Sequence, residues 1–160
     1  MRYLTLSELI YINGHVVKND KILAGTQEIR DIILLEAAVA RPAASAFGAD
    51  AYPTLREKVT ALFHSISRNH PFTDGNKRTA TVAAIFMFEV NGERPVWQPD
   101  AALAMLLGVA EGQYDMDALT AWWTTEPCPH ADEQDADRDM QHIATIIKTH
   151  RWLLDELATR

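Results

Sequence analysis

The chain has 160 residues and a net charge of −7, with 48% hydrophobic and 23% charged residues. These values suit one globular domain and argue against a disordered chain or a broad basic surface for nucleic acid. The single cysteine excludes an intrachain disulfide and a CxxC zinc site. The first residues lack signal-peptide architecture, and the longest apolar run is about half of the ~20 residues that a membrane span needs. We therefore expect a cytoplasmic protein with no membrane partner.

Helical periodicity dominates the first half of the chain. A capping box at Thr5-Leu6-Ser7-Glu8 predicts a helix from about residue 6 to 18. A second helix is predicted over residues 28–40, stopped by Pro42, because proline cannot continue a helix. A third is predicted from Pro53 to about Asn69, since its apolar residues keep to one helical face.

The second half begins with a segment at residues 77–92 that is apolar nearly all round. This pattern predicts a central, buried helix. Asp100 and Asp115 are predicted to cap two shorter helices, and residues 93–99 are predicted to be extended.

The last part of the chain reads as a linker followed by a helix. Residues 126–137 are polar, acidic and contain proline, which predicts a linker. One amphipathic helix is predicted from about 138 to 158, and we expect it to pack on the preceding domain. Deletion of residues 127–160 should then lower stability without raising activity.

The stretch HPFTDGNKR, residues 70–78, lies between the third helix and the central one. Pro71 makes the chain turn, and Asp74, Gly75 and Asn76 are residues typical of turns and helix starts. The free amides at a helix start form an anion site, which Lys77 and Arg78 would strengthen.

His70 and Asp74 add chemistry that an anion site does not need. A carboxylate would repel a phosphate unless Mg²⁺ lay between them, and Mg²⁺ prefers such oxygens. A histidine can accept a proton near neutral pH. A base, a metal holder and a phosphate cradle together predict transfer of part of a nucleotide to an alcohol.

HPFTDGNKR resembles HxFx(D/E)GN(G/K)R, the signature of Fic-fold proteins, and is most similar to the Doc (death-on-curing) branch. The likeness extends to YLTLSEL, IRDIILLEAAVARP, YPTLREKVTALFHSISRNHPF and FMFEVNGERP, and covers about residues 3–125. It implies an all-α helical bundle with the active-site loop between two central helices and at most a short extended flap. The chain then divides into a Fic/Doc domain (1–125), an acidic linker (126–137) and a C-terminal helix (138–160).

The resemblance also implies ATP, or another nucleoside triphosphate, and Mg²⁺ as cofactors. The implied roles are a catalytic base at His70, a loop anchor at Phe72, a Mg²⁺ holder at Asp74, an anion hole at Gly75 and Asn76, and phosphate contacts at Lys77 and Arg78.

Two departures from the Fic adenylyltransferase pattern favour a Doc-like reaction. Lys77 and Thr81 stand where GNGRxxR has a glycine and a second arginine. In the Doc branch, the absence of this glycine and this arginine is associated with transfer of the γ-phosphate to a protein hydroxyl. Elongation factor Tu is a candidate target, so the expected function is a toxin that blocks translation and is held off by an antitoxin partner. The sequence contains no (S/T)xxxE(G/N) inhibitory pattern, which also favours control by a separate protein.

The sequence leaves two alternatives to this function open and excludes a third. A Fic-type adenylyltransferase and a catalytically degenerate Fic-fold binding protein both stay open. An HD-type phosphohydrolase would need a His-Asp dipeptide, and the sequence has none.

Several charged residues near the loop have two open interpretations. Arg30, Asp31 and Glu36 could contact the target or nucleotide, or could form an exposed helix face. Arg68 and Asn69 could support the loop, which we favour because the chain must turn there, or cap the preceding helix.

Overall fold

The computed structural model describes residues 1–17, 29–130 and 133–160, and within these ranges the protein is all-α, as predicted. Two antiparallel two-stranded ladders, β1 with β2 and β3 with β4, are its only sheets in the described part. The elements are α1 Leu6–Val17, α2 Ile32–Ala40, a 3₁₀ turn Arg41–Ala43, β1 Ser45–Ala46, β2 Ala49–Asp50, α3 Leu55–Asn69, α4 Asn76–Val90, β3 Glu93–Pro95, α5 Pro99–Ala110, α6 Met116–Trp122, β4 Thr125–Pro127, α7 Ala136–Thr149 and α8 Arg151–Ala158.

The central helix is α4, as its apolar sequence predicts. Every residue from 79 to 88 is buried. α4 contacts α1, α3, α5, α7, α8 and strand β3. A helix surrounded in this way has no solvent face, which explains why its sequence lacks amphipathic periodicity.

Local sequence signals locate most helix starts. The capping box is confirmed, because the Glu8 amide donates to Thr5 Oγ1 at 3.2 Å and the Thr5 amide donates to Glu8 Oε1 at 2.9 Å. Asp115 caps α6 by accepting a hydrogen bond from the Ala118 amide at 2.8 Å. The prediction for Asp100 is wrong. α5 begins at Pro99, since proline suits the first helical position, and Asp100 lies within the first turn.

Two predicted boundaries differ from the structure. α2 begins at Ile32, because Asp31 caps it and Ile29 pairs with Phe72 in an isolated bridge; residue 28, the predicted start, lies outside the described residues. α3 begins at Leu55, where Thr54 accepts a hydrogen bond from the Glu57 amide at 3.2 Å.

The predicted single last helix is two helices. α7 begins at Ala136 and ends at Thr149, and α8 follows after His150. The His150 ring packs edge-on against Trp97, with 5.5 Å between ring centroids. No proline or glycine marks this break, so the sequence does not signal it. The first residues of the predicted linker form β4, and residues 131–132 of it lie outside the described residues.

The last two helices share the core of the bundle. Their buried side chains belong to the same apolar cluster as α4, namely Ile143, Ile146, Ile147, Leu153, Leu154 and Leu157. A polar contact also fixes α7, because Arg2 forms a 2.7 Å ion pair with Asp139. Burial opposes ionisation of Asp139, but its hydrogen bonds, above all that from Arg2, outweigh burial and hold the pKa of Asp139 below its ordinary value. None of the helices in the described residues is long and apolar enough to cross a membrane.

We predict that Leu154→Ala lowers the free energy of unfolding by about 2–5 kcal/mol, since it removes a core side chain and leaves a cavity. Leu154 is 2% exposed, whereas Trp152 on the same helix is 46% exposed and provides the control variant Trp152→Ala. The control should change stability by less than about 1 kcal/mol. Urea unfolding followed by circular dichroism measures both. A Leu154→Ala protein that unfolds like the wild type would show that α8 lies outside the cooperative unit.

Candidate active site

The loop between α3 and α4 begins at His70. This residue ends α3 in the left-handed region, with φ 51° and ψ 60°. A non-glycine residue there is uncommon and strained, so its neighbours must hold it. Pro71 follows and prevents the helix from continuing. The result is an exposed histidine at the point where the chain turns.

Asn76 closes the loop on itself. Its side-chain Oδ1 accepts a hydrogen bond from the Phe72 amide at 3.0 Å, and its Nδ2 donates to the Phe72 carbonyl at 2.9 Å. The Phe72 ring is buried in the core. The Asn76 side chain is therefore engaged with the loop backbone, and it shapes the site by fixing the turn that precedes α4.

Gly75 brings the loop close to α1. Its φ of 73° lies in the left-handed region, and a Cβ placed on it would come 2.5 Å from Val17 Cγ1. Only glycine satisfies both the backbone conformation and this approach.

Asn13 of α1 also holds this segment, through hydrogen bonds from its side chain. Its Nδ2 donates to the Asp74 carbonyl at 2.9 Å and to Thr79 Oγ1 at 3.1 Å, and the residue is buried. Sequence reasoning missed Asn13. The available signal is a polar residue on the buried face of α1, between Leu9 and Val16, because a buried amide needs partners.

The charged side chains of the loop differ in how firmly they are held. The Asp74 carboxylate is 77% exposed and lies 3.6 Å from the Arg78 guanidinium. Its Oδ1 accepts a hydrogen bond from the Gly75 amide at 2.7 Å. Arg78 also donates to the Val16 carbonyl at 2.9 Å. Lys77 reaches across to the residues that follow α8 and donates to the Arg160 carbonyl at 2.8 Å.

The six residues expected to be catalytic or to bind ligand line one cavity of about 210 Å³, and Phe72, the expected loop anchor, is buried in the core. The rest of the lining comes from α8 and the residues after it, which no sequence motif indicated. The full lining is His70, Thr73, Asp74, Gly75, Asn76, Lys77, Arg78, Leu157, Ala158 and Arg160.

Arg30 holds the loop through hydrogen bonds to its backbone. This role differs from both sequence interpretations, which were contact with the target or nucleotide and an exposed helix face. Its guanidinium donates to the carbonyls of His70 and Asn69, the latter at 2.7 Å. Its own amide donates to the Pro71 carbonyl at 2.8 Å. Three consecutive carbonyls are thus fixed by one residue, which offsets the strain at His70.

The favoured interpretation of Arg68 is wrong. Its guanidinium donates to the Ala110 carbonyl at 3.0 Å, so it satisfies the end of α5 and does not support the loop.

Asp31 caps α2 by accepting hydrogen bonds from the amides of Ile33 and Leu34.

This arrangement suits an anion. The first amides of a helix have no acceptor within the helix, and the helix dipole adds partial positive charge there. The start of α4 lies in the cavity wall with Lys77 and Arg78 on its first turn. An exposed imidazole and an exposed carboxylate lie at the same cavity, and these are groups that can accept a proton and bind a metal ion.

The comparisons with known proteins bear on the same region. The Fic/DOC family model matches residues 3–88, a range that includes α1, the loop and nearly all of α4. A protein named Toxin Doc, from Mycolicibacterium smegmatis, is 43% identical over 99 residues, which cover 61% of this chain and 76% of that protein. The family match contains every expected site residue, whereas α5 to α8 lie beyond it.

Gly75→Ala should destabilise the protein more than Gly48→Ala. Both glycines have positive φ, 73° and 78°, but a Cβ at Gly48 meets no atom within 4 Å. The control thus reports the backbone strain alone, about 1–3 kcal/mol. Gly75→Ala adds overpacking against Val17, which we expect to cost at least about 1 kcal/mol more. Denaturant unfolding measures the difference, and equal losses would contradict the close approach of the loop to α1.

Proposed function

The chain belongs to the Fic/DOC family, and from this premise we propose that it transfers the γ-phosphate of ATP to a hydroxyl of a target protein. The observation that carries the proposal is that one cavity gathers the expected catalytic and binding residues. It is lined by an exposed histidine, an exposed carboxylate and the start of a helix that carries two cations.

The phosphates of the nucleotide would bind at the start of α4. Backbone amides there donate to phosphate oxygens, and Lys77 and Arg78 add formal charge. Gly75 has no side chain to keep a phosphate away from the backbone. Arg78 is held by the Val16 carbonyl, so its orientation is fixed before a ligand binds.

The side chains present fit a Mg²⁺ ion shared with the nucleotide. Mg²⁺ is usually bound by one or two carboxylates together with substrate phosphates, and the exposed Asp74 carboxylate meets that requirement. Within residues 1–17, 29–130 and 133–160, no group of three metal-capable side chains is present, so a site made by protein ligands alone is not favoured. When bound, the ion would neutralise charge that develops on the phosphates.

His70 would act as the general base. The hydroxyl oxygen of the target forms a bond to the γ-phosphorus while the bond from that phosphorus to the bridging oxygen breaks. The hydroxyl proton passes to the imidazole of His70, and ADP leaves. Arg30 fixes the His70 backbone through its carbonyl, which keeps the base in position during this step.

Phosphoryl transfer is favoured over adenylyl transfer by the first two turns of α4. Lys77 fills space that a glycine would leave open. Thr81 is buried, and its hydroxyl donates to the Lys77 carbonyl at 2.8 Å, so the second turn adds no cation at that position. This surface has less room and fewer cations for a triphosphate bound deeply along α4. It therefore favours a pose in which the γ-phosphate of the nucleotide faces the target hydroxyl.

In the cell, we propose that the protein is a toxin of a toxin–antitoxin pair. The support is its similarity to the protein named Toxin Doc. The target hydroxyl would belong to a translation factor, with elongation factor Tu as the first candidate. A separate antitoxin protein would hold the enzyme off.

A label-transfer assay tests the chemistry. Purified elongation factor Tu and, in parallel, a bacterial lysate are incubated with the protein, Mg²⁺ and ATP labelled at either the γ- or the α-phosphate. We expect only the γ-label to enter protein, and His70→Ala to lower the rate by about 10²–10⁴-fold, as loss of a general base does.

Three outcomes would contradict this proposal. Transfer of the α-label would indicate adenylyl transfer. Transfer that persists at the wild-type rate in His70→Ala would remove His70 from the mechanism. If neither the γ- nor the α-label entered protein from either source, group transfer as a whole would be overturned.

Growth measurements test the toxin role. We expect induced expression of the wild-type chain in bacteria to arrest growth, and His70→Ala, expressed to the same level, to relieve the arrest. Arrest that persists with His70→Ala would show that toxicity does not depend on transfer.

A further inference from the structure

The end of the last helix forms one wall of the active-site cavity. Leu157, Ala158 and Arg160 lie there, and all three are outside the segment that matches the family model. The contact is specific, because the Arg160 carbonyl accepts a hydrogen bond of 2.8 Å from the Lys77 ammonium.

This contact positions the Lys77 side chain and leaves some of its hydrogen-bond donors available for a ligand. A lysine ammonium has three donors, and the Arg160 carbonyl takes one. Two donors remain for an anion. A flexible lysine side chain gains a preferred position at the cavity in this way, which lowers the conformational entropy that a ligand would have to remove.

The cations of α4 do not balance a polyphosphate by themselves. Arg78 is engaged with the Val16 carbonyl and lies near the Asp74 carboxylate, which offsets part of its charge. Thr81 offers a buried hydroxyl that is already bonded. A nucleotide triphosphate carries several negative charges, so a further cation at this cavity would strengthen its binding.

Arg160 lines this cavity and carries a guanidinium that is loosely held. Its guanidinium pairs with Glu156 Oε2 at 3.2 Å, and the two side chains are 46% and 35% exposed. An exposed ion pair one helical turn apart contributes little to stability. A phosphate can accept two parallel hydrogen bonds from a guanidinium, and it would compete well with Glu156.

We propose that Arg160 is a phosphate-binding residue of the active site: its guanidinium binds the polyphosphate of the nucleotide while its carbonyl positions Lys77. This role rests on the proposed function, and extends the nucleotide site beyond the family segment to α8.

The test compares two arginines associated with the same helix. Arg160→Gln removes the charge but keeps the carbonyl that holds Lys77. Arg151→Gln is the matched control, since Arg151 also pairs one turn away, with Asp155 at 4.0 Å, and is 43% exposed, but does not line this cavity. Both variants are made in His70→Ala protein, which prevents turnover, and thermal melts check folding.

Titration calorimetry then gives Kd for ATP, ADP and AMP with Mg²⁺, and for inorganic tripolyphosphate. We expect Arg160→Gln to weaken ATP and tripolyphosphate by about tenfold, as loss of a charge-assisted contact does, and AMP much less. Arg151→Gln should stay within about twofold of its parent. Glu156→Gln removes the competing carboxylate, and should leave ATP affinity unchanged or tighter.

The outcomes separate this inference from the proposed function. If the parent binds ATP and Arg160→Gln binds it equally well, the role of Arg160 is wrong and the proposed function stands. Equal weakening of AMP and ATP, an equal effect of Arg151→Gln, or a tenfold loss in Glu156→Gln would also overturn it. If the parent binds neither ATP nor tripolyphosphate, both the inference and the proposed function fail.

Discussion

The pair of hydrogen bonds between the Asn76 side chain and the Phe72 backbone is the constraint on which the site depends. It closes the loop into a fixed turn, with the Phe72 ring buried in the core as the anchor. With the turn fixed, the chain must pass through Gly75 beside α1 and enter α4 with its amides at the cavity. His70 and Asp74 remain exposed on either side of the anchored residue, which leaves the proposed base and the proposed metal ligand open to the cavity.

The parts of the fold that local sequence determines were predictable. The capping box, the cap at Asp115 and the buried character of α4 each depend on residues within a few positions of one another. The motif placed six site residues at one cavity because they are nearly consecutive. The residues that support this loop were not predictable, because they are far from it in the sequence. Asn13 is 61 positions from Asp74, whose carbonyl it contacts, and Arg160 is 83 positions from Lys77. The break at His150 escaped prediction for a related reason: Trp97, distant in sequence, packs against it.

Helices α7 and α8, with the residues that follow them, contribute both to the core and to the wall of the cavity. The match to the family model ends at residue 88, whereas the apolar core continues through α7 and α8. Burial of Leu153, Leu154 and Leu157 holds α8 against the bundle, and this packing is what brings Ala158 and Arg160 to the cavity. A segment whose first contribution is core packing can therefore also contribute to the proposed ligand site, because a rigid helix end holds nearby groups at a constant distance from the loop.

The central claim is that the turn before α4 binds the phosphates of a nucleotide and presents the last one to His70. A crystal structure of the wild-type protein with Mg²⁺ and a non-hydrolysable ATP analogue measures this directly. The account predicts phosphate oxygens within hydrogen-bond distance of the first amides of α4 and of Lys77, with the γ-phosphorus facing the His70 imidazole. A nucleotide bound away from this turn, or one whose α-phosphorus faces His70, would contradict it.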